Sequence, residues 1–393
     1  METGLDRLTR KHLAGQRIAL LAHPASVNRD MVHVGEVLEQ LGSRPRIIFG
    51  PEHGYGGEAQ DMIGVADARD ARGTQVRSLY GASFDDLVPK EADLDGVDLL
   101  VVDLQDVGSR YYTFVWTAVL AARACAKKGV RVLVLDRPNP IGGAQIEGCL
   151  QRPEFLSFVG LEPVPIRHGL TLGEIAAWRA SVEGYAENVT VLATRGASRE
   201  AHAPLWDRAM VMPSPNMPTY DTALVYPGGC LLEGTNLSDG RGTTRPFEIT
   251  GAPWLDGVRL AREIHQTLSA ESSGFRARPI TFCPTFHKHA NTVCGGVQIH
   301  VTDARAFRPV ATYAALIALS HHQAPDAFRF RTERYEFVDD IPALDLLAGS
   351  ADMRAQITAS EDPGVVARNL SFVGDAEREV VRAAIDSGAR RAI

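Results

Sequence analysis

Four short apolar runs in the first half of the chain each end in side chains equipped for chemistry. Residues 17–23 (RIALLAH) deliver His23, and residues 45–50 (PRIIFG) lead into Pro51-Glu52-His53-Gly54. Residues 98–105 (DLLVVDLQ) bring Asp103, Gln105 and Asp106, with Arg110 close behind, and residues 131–137 (RVLVLDR) bring Asp136, Arg137 and Asn139. Carboxylates beside imidazoles and guanidiniums are the ingredients of general acid–base chemistry or of metal-assisted hydrolysis. Each residue also has a structural reading: Asp136 can cap a turn, and Arg110 can pair with it. Their shared position behind four successive runs points to a catalytic cleft.

The elements that must position these groups follow from the pattern. The runs are apolar almost throughout, as are strands covered on both faces of a parallel sheet. Helical stretches lie between them, over residues 30–41, with apolar Met31, Val34, Val37, Leu38 and Leu41, and over residues 114–128. This alternation predicts an α/β fold with a doubly wound parallel sheet, whose ligands bind beyond the carboxyl ends of the strands. TLGE reads as a capping box, with Thr171 at the N-cap and Glu174 three residues on. Residues 212–254 are dense in Pro, Gly, Thr and Asn with little periodicity, and read as an irregular functional loop system. A helix over 258–269, a strand over 297–301, a helix over 307–320 and a closing helix over 376–389 predict a smaller α+β domain.

The turn after the first run, HPASVNRD, carries no GxGxxG, no GxxxxGK[ST] occurs, and the glycines of SDGRGTTR follow no strand, so no nucleotide cofactor is expected. A metal hydrolase drawing on His23, His53, Asp103, Asp106 and His168 remains an alternative, without HExxH or His-x-His spacing behind it. No metal is expected.

The 393 residues are 45% hydrophobic and 23% charged, enough for a large core without disulfides or a structural metal. A net charge of -7 with no basic block argues against nucleic acid as a partner. The five cysteines are widely spaced with no CxxC, so neither a disulfide framework nor a cysteine zinc site is expected. The N-terminal METGLDRLTRKHLAGQ has no apolar core of a signal peptide, and the longest apolar runs are too short to span a bilayer. These features predict a cytoplasmic protein that does not insert into membranes.

Seven segments carry a resemblance to a known family: PEHGYGG (51–57), SLYG (78–81), DLQDVGSRYYTF (103–114), LDRPNPIGG (135–143), IRHGLTLGE (166–174), MPSPNMPT (212–219) and YPGGCLLEGTNLSDGRGTTRPFE (226–248). In this order they resemble the signature segments of the exo-β-N-acetylmuramidase (NamZ-like) glycosidases, and CGGVQIHVTD (294–303) continues the likeness more weakly. The resemblance implies a Rossmann-like catalytic domain over residues 1–220. It also implies an auxiliary domain over 221–393, whose first segment, 221–254, contributes to the cleft. The implied substrate is a small saccharide, MurNAc-GlcNAc or a muropeptide, losing its terminal β-linked N-acetylmuramic acid. Secreted family members carry a signal peptide, so this chain is expected in intracellular wall recycling. A catalytically silent sugar-binding homologue is the alternative from a different class.

Glycosidases work with carboxyl groups flanking the scissile bond, one of them protonated. Glu52, just past a buried strand and beside His53, is the expected general acid, because desolvation there would raise its pKa. The glutamate of the PEHG motif is also the leading candidate that the resemblance implies. Asp103, Asp106, Glu58, Glu233 and Glu248 compete for the second role, and the substrate's own acetamido group can replace a carboxylate nucleophile. The lactyl carboxylate of N-acetylmuramic acid calls for an arginine fork, with Arg241 or Arg245 favoured and Arg110 and Arg167 as rivals. Asn139, Asn216 and Asn236 suit sugar hydroxyls or the acetamide, and Tyr111, Tyr112, Tyr226 and Trp254 suit pyranose faces. His53, Arg137, His168 and Glu233 complete the expected substrate contacts.

Overall fold

The computed structural model describes residues 1–60, 63–64, 66–268 and 274–393. Within them the apolar runs become strands of one sheet: β1 (Ile18–Ala22), β2 (Ile47–Gly50), β3 (Ala68–Arg69), β4 (Gln75–Ser78), β5 (Leu99–Asp103), β6 (Arg131–Leu135) and β7 (Val189–Leu192). The strand order is β3-β4-β2-β1-β5-β6-β7, parallel except for β3 against β4. Leu20 of β1 stands opposite both Ile48 and Val101. Successive side chains point to opposite faces. Ile18, Leu20 and Ala22 therefore pack with Leu13 of α1 (Arg10–Leu13) and with Val34 and Leu38 of α2 (Val34–Gln40). Ala19 and Leu21 pack on the other side, in the core shared by α3 (Phe114–Lys127) and α4 (Leu172–Val182). The capping box at α4 forms as the sequence predicts: Glu174 N donates to Thr171 Oγ1 (3.2 Å) and Thr171 N to Glu174 Oε2 (2.9 Å).

Residues 212–254 correct the expectation of an irregular segment. They contain α5 (Tyr220–Gly229), a 3-10 turn (Cys230–Gly234) and β8 (Ile249–Ala252). Residues 222–229 of α5 are all buried, so no polar stripe marks the helix in the sequence, and Pro227 sits inside it. Its terminal glycines serve close approach: a Cβ on Gly228 would fall 2.1 Å from Pro309 O, and one on Gly229 2.8 Å from Phe247 Cβ.

The remainder comprises α6 (Gly257–Thr267), β9 (Phe275–Phe282), β10 (Cys294–Val301), α7 (Pro309–Gln323), α8 (Ala343–Ala348), α9 (Asp352–Thr358), α10 (Pro363–Ser371) and α11 (Asp375–Arg391). Ser269, the expected end of the helix over 258–269, lies outside the described residues. β8, β10 and β9 form a small antiparallel sheet. One buried cluster runs from the large sheet through Leu224 of α5 to Leu316 of α7 and Val366 of α10, so the two halves share a core. α11 returns to pack on α4. Among the described residues no helix is long and apolar enough to cross a membrane.

Candidate active site

Beyond the carboxyl ends of β2 and β5, a cleft with about 480 Å³ of space between atoms opens toward the C-terminal half. Glu52 and His53 enter it on the turn after β2, where His53 (φ 68) and Gly54 (φ 82) both take left-handed backbone. Tyr111, Tyr112, Thr113 and Phe114 come from the loop after β5 and the start of α3, and Ser214, Asn216 and Met217 from the MPSPNMPT segment. The C-terminal half contributes Tyr226 of α5, Glu233 of the 3-10 turn, Arg241, Phe247, Tyr335 and Glu336.

Glu52 is 5% exposed, and its Oε2 accepts a hydrogen bond from Thr113 Oγ1 at 2.7 Å. His53 Nδ1 lies 2.9 Å from Ala59 O. A carbonyl only accepts, so this contact places the ring proton on Nδ1. Asn216 Nδ2 donates to Gln60 Oε1 at 2.9 Å. Burial raises the Tyr112 and Tyr226 hydroxyls well above their ordinary pKa, so both stay neutral.

Arg241 is the one arginine or lysine among the described residues lining the cleft. Its Nη2 donates to Glu233 Oε1 (2.8 Å) and its Nη1 to Asp239 Oδ2 (3.1 Å), while its guanidinium stands 4.9 Å from the Phe247 ring centre. Tyr335 OH donates to the other Glu233 oxygen at 2.6 Å. Burial works against a charged Glu233, but the Arg241 charge and the Tyr335 hydrogen bond prevail and hold its pKa low. Burial likewise opposes charge on Asp239, and Lys288 and Arg241 overcome it, holding that carboxyl well below its usual range. Lys288 Nζ reaches Asp239 at 3.4 Å and donates to Leu232 O at 2.8 Å, closing a network of paired charges behind the cleft wall.

Several residues favoured by the sequence lie outside this cleft. Asp103 is fully buried in a two-pronged ion pair with Arg137 (2.5 and 2.8 Å), which ties the end of β5 to the end of β6. Asp106 Oδ2 accepts from Gly108 N at 2.7 Å and faces His168 Nε2 at 3.5 Å, while His168 Nδ1 accepts from Leu170 N. Arg110 donates to the carbonyls of Cys149, Val164 and Leu347, and Arg167 to Ile141 O, so both fasten backbone. Asn139 bridges Leu170 O and Ile141 N, and Asn236 bridges Ala327 O and Arg329 N. Arg245 has a side chain 44% exposed and pairs with Glu248 at 3.4 Å. Trp254 packs beside Phe328. Glu58 and Glu248 do not line the cleft.

The metal alternative fares no better. His23 Nε2 accepts from Gln105 N (2.9 Å) and its Nδ1 faces Pro213 O (3.2 Å), so both ring nitrogens are engaged. Among the described residues no three His, Cys, Asp or Glu side chains are grouped to hold a metal ion.

Thr113, Ser214, Met217, Phe247, Tyr335 and Glu336 line the cleft without having been singled out from the sequence. Thr113 lies within the DLQDVGSRYYTF segment, so its neighbours offered a signal. Tyr335-Glu336 falls in a polar stretch with no motif or periodicity to mark it.

A second cavity, with about 830 Å³ of space between atoms, lies beyond β6 and β7 against α11. It is roomier, but its carboxylates finish a helix start. Asp136 accepts from Thr171 Oγ1 and Gly173 N, and Glu174 pairs with Arg199. The smaller cleft brings carboxyls from both halves of the chain to one space, and is the better candidate for glycoside chemistry.

The sequence profile for "Exo-beta-N-acetylmuramidase NamZ, N-terminal" matches residues 18–221, and that for "Exo-beta-N-acetylmuramidase NamZ, C-terminal" matches residues 224–372. The chain is 39% identical over 362 residues to the peptidoglycan β-N-acetylmuramidase NamZ of Bacillus subtilis (strain 168), covering 91% of this chain and 84% of that one. Two crystal structures of DUF1343 family proteins from Bacteroides fragilis share the fold. One has a TM-score of 0.86 at 27% identity, covering 97% of each chain. The other has a TM-score of 0.72 at 25% identity, covering 100% of this chain and 98% of that one. With both halves matched in order and the fold shared, the chain belongs to the exo-β-N-acetylmuramidase NamZ family.

Proposed function

We propose that Glu52 is the general acid with which this exo-β-N-acetylmuramidase releases terminal β-linked N-acetylmuramic acid from peptidoglycan fragments. The observation that carries the reading is its placement. A buried carboxyl at the end of a parallel strand is fixed by Thr113 and shares a cleft with Glu233 and Arg241 of the other half. An acid there protonates the leaving oxygen as the glycosidic bond breaks, and exclusion of water strengthens each polar contact around it. Arg241 is our choice for the lactyl carboxylate, because it lines the cleft, whereas Arg245 stands outside it. Asn216 and Tyr112 are the proposed contacts for the acetamide and the pyranose. A MurNAc-GlcNAc disaccharide or a muropeptide is the proposed substrate. The cytoplasm is the proposed compartment, a reading supported by cysteines outside any disulfide, among them the exposed Cys283.

The test is Glu52→Gln, which keeps the shape and removes the acid. Turnover of the disaccharide should fall by roughly two to four orders of magnitude. On a nitrophenyl β-N-acetylmuramide the deficit should shrink, because that leaving group needs little protonation. Near-parental turnover of the disaccharide would assign the acid to another residue.

A further inference from the structure

The cleft holds a third carboxyl. Glu336 lies on a short loop in which Tyr335 and Val338 exchange backbone hydrogen bonds of 2.9 and 3.0 Å, and it lines the cleft together with Glu52 and Glu233. It is 4% exposed. Glu336 (φ 44) and Phe337 (φ 71) are both left-handed, a conformation that costs energy for residues with a Cβ and persists only where the surroundings impose it. Here the surroundings are aromatic: the Phe337 ring centre lies 5.6 Å from that of Tyr80, 6.1 Å from Phe158 and 6.4 Å from Phe84. The strained pair holds Glu336 at the cleft wall, and Tyr80 OH donates to its Oε2 at 3.1 Å. Glu233 has one oxygen on Arg241 and the other on Tyr335, so it ties Arg241 to the loop that carries Glu336.

We infer that Glu336 is the second carboxyl of the reaction, the anion that faces the positive charge developing on the anomeric carbon and ring oxygen. The inference rests on reading this cleft as the active site. The bond from the anomeric carbon to the leaving oxygen breaks with its electron pair going to oxygen, which takes the Glu52 proton. The sugar is left with positive charge spread over the anomeric carbon and ring oxygen, and the Glu336 carboxylate stabilises it electrostatically. Water then adds at the anomeric carbon, and the proton it sheds restores Glu52 through solvent, so one water is consumed per bond.

Glu336→Gln separates this role from that of Glu52. Turnover should fall by about 100-fold or more, and by a similar factor on the disaccharide and on the nitrophenyl glycoside, because charge develops whichever group leaves. The same variant should bind a muramic-acid-configured iminosugar, with its protonated ring nitrogen, roughly ten-fold or more weakly, while binding neutral-ring N-acetylmuramic acid within a few-fold of the parent. Parental turnover overturns the inference, as does a loss that shrinks with nitrophenol or an equal weakening of both sugars. If the amide variant fails to fold, Glu336→Asp keeps a charge and an acceptor for Tyr80 but withdraws the carboxylate by one methylene. It should lose about ten-fold or more on both substrates, and parental turnover in it is equally contradictory. Parental behaviour of Glu336→Gln beside an impaired Glu52→Gln overturns the role of Glu336 alone. Parental behaviour of both overturns the reading of the cleft.

Discussion

Arg241 shows how far a single residue's role depends on its neighbours. The sequence offers Arg241 and Arg245 as equals on one Gly/Thr-rich stretch, and their spacing does not rank them. The structure separates them: Arg241 is buried between Glu233 and Asp239, whereas Arg245 is half exposed beside Glu248. Alanine at position 241 would leave the buried Glu233 without its paired cation, with a stability cost of about 3–5 kcal/mol, so the informative variant is Arg241→Lys. It keeps the charge and loses the planar fork. We expect kcat/KM for a β-N-acetylmuramide to fall by about 2–4 kcal/mol in transition-state terms, with a much smaller change for a β-N-acetylglucosaminide, which lacks the lactyl carboxylate. Arg245→Ala should leave that ratio unchanged. Equal losses on both glycosides in Arg241→Lys would mean that Arg241 only holds Glu233 in place. The place of Glu52 in the cleft was legible because it lies just past a strand and within the PEHG segment. Glu336 was not, because its place in the cleft comes from left-handed backbone and aromatic contacts formed across the fold.

At the scale of elements, the buried groups at the ends of β5 and β6 are fastenings. Asp103 and Arg137 looked catalytic because they end consecutive strands, and that adjacency is what lets them bind each other across β5 and β6. Asp103→Asn leaves the Arg137 charge without its partner and should destabilise the fold by about 3–5 kcal/mol, measured by urea unfolding. The catalytic constants of the folded protein should stay near parental; their collapse without loss of stability would return Asp103 to the chemistry. His23 gives a pH signature. Burial, with Arg137 adding to it, pushes its pKa from 6.5 down to about 3. The unfolded chain therefore takes up a proton that the folded ring refuses. The stability contributed by neutral His23 is present above about pH 6.5 and drains as pH falls toward 3. Asp136 works in the opposite sense. Burial, with Glu174 adding to it, raises its pKa to about 7, so its contribution fades as pH rises through that value. The stability advantage of the parent over His23→Asn should accordingly shrink between pH 7 and pH 4. An advantage constant over that range would contradict a neutral, buried His23. Alternating strands and helices made the large sheet readable from the sequence. Helix α5 escaped because an element buried on every side and ending in Pro-Gly-Gly shows no periodicity.

At the scale of the whole molecule, the cleft exists because two sequence-distant halves share one core. The 3-10 turn bearing Glu233 and the loop bearing Glu336 are held by packing that runs from the large sheet into α5 and α7. Sequence patterns place residues at the ends of their own elements, and they do not show which loop of the second half closes over which strand of the first. That docking forms the narrow cleft at Glu52, while the roomier cavity lies beside α11. The most direct measurement is a crystal structure of Glu52→Gln in complex with MurNAc-GlcNAc, the variant being slow enough to hold an intact substrate. The disaccharide should lie in the cleft, its glycosidic oxygen within hydrogen-bond reach of the amide at position 52 and its lactyl carboxylate on Arg241. A disaccharide lodged instead in the cavity lined by Asp136, Glu174 and Arg199, with the Glu52 cleft empty, would refute the catalytic role of Glu52.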